Sequence, residues 1–221
     1  MTKHPDIGSL QAVLFDFDGV VVQSESVYDR ATKKLGAHYG LTIPEPFFEA
    51  NRGIAETLFY QRFKSNFELD VDLEEIQEHG RKYLWEAFAS SVQITPGFQQ
   101  FYKWIREVVG KVALVTATPR LLIDEIFKNS SIQVHFDHIV TSSDVIRTKP
   151  APDPYLKACE LLGVDPARAL AIEDSPTGLK SAVAAGCQTV GITTSCNRES
   201  LKEANFVVDS FGELEELLTT V

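Results

Sequence analysis

Two aspartates one residue apart, at the end of an apolar run, are the residues of this chain best suited to chemistry. They lie in Leu-Phe-Asp-Phe-Asp-Gly-Val, residues 14–20. Side chains alternate along an extended strand, so Asp16 and Asp18 are expected to point to the same side. One carboxylate can attack an electrophile while the other transfers a proton, and the paired negative charges favour a cation between them. A hard divalent ion such as Mg²⁺ fits that need.

Other interpretations of this segment are a simple turn and the start of a calcium-binding loop. The spacing excludes the calcium loop. If Asp16 is the first loop position, Gly19 is fourth and Val27 is twelfth, whereas such loops need a glycine sixth and a glutamate twelfth. Gly19 instead predicts an exit from the strand through positive φ or close backbone approach. Whether the segment is a turn or an active site depends on the rest of the chain.

A second segment combines a short apolar run with hydroxyl groups. The run 112–115 is followed by Thr116-Ala117-Thr118-Pro119, just before a predicted helix. The hydroxyl of Thr116 and the backbone N–H groups of this turn, including that of Ala117, can hold an anion. The alternative is that Thr116 is an ordinary turn residue.

A third segment, Thr148-Lys149-Pro150, follows the strand-like residues 139–141. A proline disfavours the helical conformation in the residue before it, so Lys149 is expected to be extended and its ammonium held in one direction. The alternative for a single lysine is a solvated surface position.

A fourth segment places two acids after the buried run 170–172. Glu173 and Asp174 are followed by Ser175-Pro176, a typical helix start with proline at the first helical position. The two acids are candidate partners for the first two aspartates at another strand end, and the alternative for Asp174 is a helix cap.

The order of these four segments, each at the end of a strand, resembles the motif order of the haloacid dehalogenase superfamily of phosphotransferases. The resemblance covers nearly the whole chain. It implies the following roles: Asp16 the nucleophile, Asp18 the general acid/base and a metal ligand through its carbonyl, Thr116 and Ala117 phosphate binding, Lys149 the charge-neutralising cation, and Asp16, Glu173 and Asp174 the acidic metal ligands.

The resemblance also implies an Mg²⁺-dependent reaction through an aspartyl-phosphate. Phosphoryl transfer requires in-line positioning and neutralisation of the charge on the phosphoryl oxygens. Asp16 would attack phosphorus, and Asp18 would protonate the departing alkoxide and then deprotonate water. Attack on a carbon–halogen bond needs no acid for an alkoxide, so dehalogenation is not expected.

Within the superfamily, the motif residues are most similar to the β-phosphoglucomutase-type subfamily, which contains mutases and phosphatases. Mutases commonly carry a histidine after the first motif and an arginine after a glycine in the cap loop, and Tyr28 and Glu56 stand at those positions here. A glutamate there would repel a second phosphate. We therefore expect a phosphatase acting on a small phosphomonoester, such as a sugar phosphate. A phosphosugar mutase is the alternative, and a catalytically silent phospho-ligand-binding module is a third interpretation.

Composition indicates an ordinary globular protein. The chain has 221 residues, 44% of them hydrophobic and 24% charged, and a formal net charge of −10. That charge disfavours nucleic acid and anionic membranes as partners, and no run approaches about 18 apolar residues. Three cysteines without close pairing predict reduced thiols and a cytoplasmic location. The expected partner is a small phosphorylated metabolite, and the expected state is a monomer or weak dimer.

Alternating strand-like and helical stretches after Gly97 predict an α/β fold, here a Rossmann-like core with a mainly parallel sheet flanked by helices. Residues 24–92 instead show helical periodicity and are interpreted as an inserted α-helical cap domain. The predicted domains are therefore a catalytic core, 1–23 with 93–221, and a helical cap, 24–92. The resemblance places a basic residue of a cap loop near the substrate, and Arg52 is the candidate. The alternative for Arg52 is a surface ion pair.

Overall fold

A computed structural model describes residues 7–51, 54, 56–90, 92–129, 132 and 134–219. It divides the chain into two compact units, Met1–Gln23 with Gln93–Val221, and Ser24–Val92. Within the described residues, no helix combines the length and the apolar character that crossing a bilayer requires.

The first unit is built on a parallel sheet of short strands. Its strands are β1 (Ala12–Phe15), β4 (Val112–Val115), β5 (His138–Val140), β6 (Ala169–Glu173), β7 (Gln188–Ile192) and β8 (Phe206–Val208), and a separate antiparallel ribbon is formed by β2 (Val22–Gln23) and β3 (Gln93–Ile94). In the main sheet the spatial order is β5-β4-β1-β6-β7-β8, and each neighbouring pair is parallel. The predicted α/β fold with a mainly parallel sheet is confirmed.

Full burial explains why β1 and β4 are continuous apolar runs, and why β6 is apolar up to Glu173, rather than alternating in polarity. Strands β1, β4 and β6 are buried at every position, as expected when helices cover both faces of a parallel sheet. The helices of this unit are α5 (Phe98–Val109), α6 (Arg120–Asn129), α7 (Asp153–Leu162), α8 (Pro176–Ala184) and α9 (Phe211–Thr219). The ring of Phe15 on β1 packs edge-on against Phe98 and Phe101 of α5.

The strand order by itself indicates where a functional site is expected. The chain leaves β1, forms β4 and β5 on one side of it, and then crosses to β6 on the other side. Ligands of open parallel sheets bind at the carboxyl ends of strands where the order reverses in this way. The carboxyl ends of β1, β4 and β6 are therefore the expected location.

The second unit is helical. It contains α1 (Glu25–His38), α2 (Glu45–Ala50), α3 (Glu56–Asn66) and α4 (Leu73–Ser90). Its core is aromatic, with Phe63 fully buried and its ring in contact with those of Phe47 and Phe67. Ile76 of α4 is also fully buried.

Candidate active site

The predicted chemical residues follow the three central strands of the sheet. Asp16 comes directly after β1, Thr116 after β4, and Asp174 after β6. The register pairs Phe15 with Leu114 and with Ile172, so the three strands end at nearly the same level. Side chains distant in sequence are thereby brought to one edge of the sheet.

Lys149 is the central cation of this edge. Its ammonium donates hydrogen bonds to Asp16 Oδ1 at 2.7 Å, to Glu173 Oε1 at 2.6 Å and to the carbonyl oxygen of Val115 at 2.9 Å. An ammonium has three donors, so these partners account for all of them. The side chain is almost completely buried, and burial lowers its pKa, but the charges of Asp16 and Glu173 outweigh burial and leave the pKa above its usual value. Lys149 is therefore a charged, fixed bridge between two acids.

Glu173 is fully buried, and its carboxylate accepts hydrogen bonds from several residues. Its Oε1 accepts hydrogen bonds from Lys149 and, at 2.6 Å, from the hydroxyl of Tyr155, while the hydroxyl of Ser175 donates to Oε2 at 3.3 Å. Burial, together with the charge of Asp16, raises the pKa of Glu173 to about 7 in spite of these donors. Glu173 therefore serves as counter-ion to Lys149 while remaining close to the other acids.

Gly178, in the first turn of α8, makes room for the Glu173 carboxylate. A Cβ at this position would lie 2.0 Å from the carboxyl carbon and from both oxygens of Glu173. Alanine normally stabilises a helix by up to about 1 kcal/mol relative to glycine, but overpacking of this kind costs about 1–3 kcal/mol. We expect Gly178→Ala to lower the free energy of unfolding, measured by urea denaturation.

Gly212→Ala in α9 is the matched control, because the nearest atom to its Cβ is 3.7 Å away. We expect this substitution to be neutral or to stabilise by up to about 1 kcal/mol. Equal effects of the two substitutions would show that Glu173 does not occupy the space beside Gly178.

Asp174 lies against the turn that follows β1. Gly19 has a φ of 74°, and a Cβ there would lie 1.7 Å from Asp174 Oδ2 and 2.5 Å from Ser195 Oγ. The positive φ and the close approach predicted for Gly19 are both confirmed. Burial raises the pKa of Asp174 well above its usual range, the charges of Asp16 and Glu173 raise it further, and a hydrogen bond with Ser195 opposes them.

The acidic cluster fits a divalent cation. Asp16, Glu173 and Asp174 are buried, and one carboxylate oxygen from each lies within 4.8 Å of the others. Among the described residues, one ammonium, that of Lys149, forms ion pairs with two of these three acids, so negative charge is in excess. Oxygen ligands and excess negative charge are what hard divalent ions require. The three carboxylates are thus able to hold such an ion.

The first and second motif segments are joined by a hydrogen bond between Asp18 and Thr118. The hydroxyl of Thr118 donates to Asp18 Oδ2 at 2.9 Å, and the backbone N–H of Thr118 donates to Thr116 Oγ1 at 3.0 Å. Thr116 is buried and Ala117 is exposed at the tip of the turn. The turn after β4 therefore contacts the carboxylate of Asp18 and also presents a backbone segment to solvent.

The structure brings Asp16, Lys149, Glu173 and Asp174 together at one strand edge. The helix-cap interpretation of Asp174 is wrong, because Ser175 caps α8 by accepting from the N–H of Gly178 at 3.0 Å. Arg52 lies outside the described residues. Sequence reasoning missed the roles of Tyr155, Thr118 and Ser195 as hydrogen-bond partners of the acids.

Comparison with known proteins agrees with this geometry. A phosphorylated carbohydrates phosphatase of Thermotoga maritima is 28% identical over 214 residues, covering 96% of this chain and 98% of that protein. Hexitol phosphatase A of Escherichia coli is 25% identical over 203 residues, 91% of each chain. The structure of β-phosphoglucomutase from Clostridium difficile superposes with a TM-score of 0.77 at 25% identity, covering 95% of this chain and 97% of that one.

Residues 10–186 match the family of haloacid dehalogenase-like hydrolases. The match includes β1, β4 and β6, and with them the acids, the threonine turn and Lys149. It also confirms the superfamily predicted from the four motifs. This chain therefore belongs to the haloacid dehalogenase-like hydrolase family.

Proposed function

We propose that this protein is an Mg²⁺-dependent phosphatase that hydrolyses a small phosphomonoester, a sugar phosphate or similar metabolite, through an aspartyl-phosphate. The observation that carries the proposal is the bridge from Lys149 to Asp16 and Glu173. The bridge fixes a nucleophilic carboxylate beside a permanent positive charge. The relatives named for phosphorylated carbohydrates and hexitol phosphates support the substrate class.

Asp16 is the proposed nucleophile. Lys149 holds Oδ1 of its carboxylate at 2.7 Å, which leaves Oδ2 as the oxygen that attacks phosphorus. Attack forms the Asp16–phosphorus bond and breaks the bond to the leaving alkoxide, which takes a proton from Asp18. Water then attacks the aspartyl-phosphate and gives its proton to Asp18, and Asp16 is released as a carboxylate.

The turn after β4 is the proposed phosphate-binding element. Because Thr116 Oγ1 accepts from the N–H of Thr118, its hydroxyl hydrogen is available to donate to a phosphoryl oxygen. The backbone N–H of the exposed Ala117 is proposed as a second donor. Asp16, Glu173 and Asp174 would hold Mg²⁺ together with the carbonyl of Asp18, and the ion would neutralise charge on the transferring group.

The helical unit Ser24–Val92 is proposed as a cap that selects the leaving group. Its insertion after β2, between the first and second motifs, supports this proposal. Arg52 is the proposed substrate-contacting residue of the cap.

A phosphosugar mutase remains the second candidate, because the fold superposes on a β-phosphoglucomutase. The two positions that depart from the mutase pattern argue against it. Tyr28 packs its ring edge-on against Phe88, and Glu56 is paired with Arg81, whose Nε donates to Oε1 at 2.7 Å. That pairing offsets part of the charge of Glu56 but supplies no net positive charge for a second phosphate.

Phosphate release tests the proposal. The protein would be incubated with hexitol phosphates, hexose phosphates and other small phosphomonoesters, in Mg²⁺ and in chelator. We expect release in Mg²⁺, loss of release in chelator, and recovery when Mg²⁺ is restored. Conversion of β-glucose 1-phosphate to the 6-phosphate with a bisphosphate activator would instead establish the mutase. Binding of these phosphates without either reaction would indicate the silent module.

A further inference from the structure

The hydroxyl of Thr118 is bonded to the carboxylate that the proposed mechanism uses for proton transfer. Thr118 Oγ1 donates to Asp18 Oδ2 at 2.9 Å across 100 residues of sequence. Both residues follow strands of the same parallel pair, β1 and β4. The contact is therefore fixed by the register of the sheet rather than by local sequence.

Thr118 is itself rigidly placed. Only 4% of its surface is exposed, and its backbone N–H is bonded to Thr116 Oγ1 at 3.0 Å. The next residue, Pro119, accepts backbone hydrogen bonds from Leu122 and Ile123 of α6. The buried hydroxyl of Thr118 thus projects from a short turn that is anchored at both ends.

The backbone of Asp18 is equally constrained. Asp18 forms an isolated bridge with Val22, and the N–H of Gly19 donates to the carbonyl oxygen of Val22 at 2.7 Å. With its backbone held in this tight turn, the remaining freedom of Asp18 is rotation of its side chain. A hydrogen bond to one carboxylate oxygen removes most of that freedom.

We propose that Thr118 is a positioning residue for Asp18, which holds Oδ2 so that Oδ1 is directed towards the oxygen that is protonated. This inference rests on the proposed phosphatase function and assigns a role to Thr118, a residue of the second motif segment to which the resemblance gives none. In the step concerned, Asp16 forms a bond to phosphorus and the phosphorus–alkoxide bond breaks. Asp18 gives its proton to the alkoxide and becomes a carboxylate, to which the Thr118 hydroxyl donates.

If Thr118 positions the acid Asp18, its loss should affect substrates differently according to their leaving groups, which the loss of a purely structural residue should not do. General acid catalysis contributes about 10²–10⁴-fold when a poor leaving group must be protonated. It contributes little for p-nitrophenyl phosphate, whose phenolate departs without a proton. A misdirected Asp18 therefore slows alkyl phosphates selectively, whereas a disturbed phosphate or metal site slows both substrates.

The test compares kcat/KM for a hexitol phosphate and for p-nitrophenyl phosphate, because kcat/KM reports the first phosphoryl transfer and excludes the later attack of water. For Thr118→Val we expect kcat/KM for the hexitol phosphate to fall about tenfold or more, and that for p-nitrophenyl phosphate to change by less than about threefold. Thr118→Ser, which keeps the hydroxyl, should restore the ratio. Thr118→Ala serves the same purpose if the valine variant does not fold.

Thr189→Val is the matched control, since Thr189 is a fully buried threonine of the same sheet whose hydroxyl is bonded to Asn205. Its ratio of the two kcat/KM values should equal that of the wild type. The positioning role would be overturned if Thr118→Val or Thr118→Ala lowered kcat/KM equally for both substrates. It would also be overturned if Thr118→Ser slowed the hexitol phosphate as selectively as Thr118→Val does. Absence of hydrolysis by the wild type would instead overturn the proposed function itself.

Discussion

Replacing Asp16 by asparagine is expected to lower kcat for phosphomonoester hydrolysis by at least about a thousandfold, the scale seen when a covalent nucleophile is removed. Asparagine keeps an acceptor oxygen for the hydrogen bond that Lys149 makes to Oδ1. It lacks the negative charge that attacks phosphorus. The fold should therefore persist while the chemistry is lost. Steady-state phosphate release measures kcat, and circular dichroism measures the fold.

An acid-quenched sample provides a second readout for the same variant. Wild type mixed with substrate should contain a protein-bound phosphoryl group at Asp16, detectable by mass spectrometry, and Asp16→Asn should contain none. Asp124→Asn is the control, since Asp124 is an exposed aspartate on α6 whose ion pair with Arg120 is 3.8 Å long. That variant should retain wild-type turnover. Turnover by Asp16→Asn within tenfold of wild type would show that another group attacks phosphorus.

The positions of the chemical residues along the chain could be predicted because they follow fully buried strands. β4 spans the predicted run 112–115, β1 lies in the apolar run directly before Asp16, and β6 extends the predicted run 170–172 by one residue at each end. Parallel strands covered on both faces leave continuous apolar runs. A polar residue directly after such a run marks the strand end at Asp16 and at Thr116, whereas β6 continues through Glu173 and ends before Asp174. Ser175-Pro176 likewise predicted the start of α8, which begins at Pro176.

The hydrogen-bond partners within the site could not be predicted from the sequence. Tyr155 contacts Glu173, 18 residues away, and Thr118 contacts Asp18, 100 residues away. These pairs depend on strand order and register, and no local periodicity encodes either. Tyr155 lies in the first turn of α7, where apolar periodicity indicates a helix but not the partner of the tyrosine hydroxyl.

The ribbon of β2 and β3 was also missed, for a different reason. Each strand has two residues, Val22–Gln23 and Gln93–Ile94. An alternation of period two cannot be recognised over so short a stretch. The N–H of Thr95 also donates to the carbonyl oxygen of Val21 at 3.0 Å, a pairing between residues 74 positions apart that only the folded chain reveals.

Lys149→Met is expected to abolish turnover and, measured in chelator, to lower the free energy of unfolding by about 3 kcal/mol. The side chain is almost completely buried and bridges two acids at 2.6 and 2.7 Å. Removing one partner of a buried ion pair costs about 3–5 kcal/mol, because the remaining charges are buried without compensation. Methionine keeps most of the volume of the lysine stem, so the loss reports charge rather than a cavity. Urea denaturation gives the stability.

Two controls separate the effect of uncompensated buried charge from a general effect of losing a lysine. Lys157→Met removes an exposed lysine of α7 that is paired with Glu160, and should change stability by less than about 1 kcal/mol. The double variant Lys149→Met/Glu173→Gln removes the carboxylate left without its counter-ion, so it should be more stable than Lys149→Met alone. A double variant that is no more stable than Lys149→Met would contradict the role of Glu173 as counter-ion.

The pH dependence of the free energy of unfolding of Lys149→Met tests whether Lys149 stabilises the fold by neutralising the charge of Glu173. Burial and the charge of Asp16 raise the pKa of Glu173 to about 7 even with Lys149 beside it. A carboxyl group whose pKa is higher in the folded state binds more protons folded than unfolded, so its contribution to stability falls as pH rises from its unfolded pKa to its folded pKa. Without Lys149, the folded pKa rises further and that range widens. The stability deficit of Lys149→Met relative to wild type should therefore be larger at pH 8 than at pH 6, and a deficit that shrinks with rising pH would show that the lysine does not neutralise Glu173.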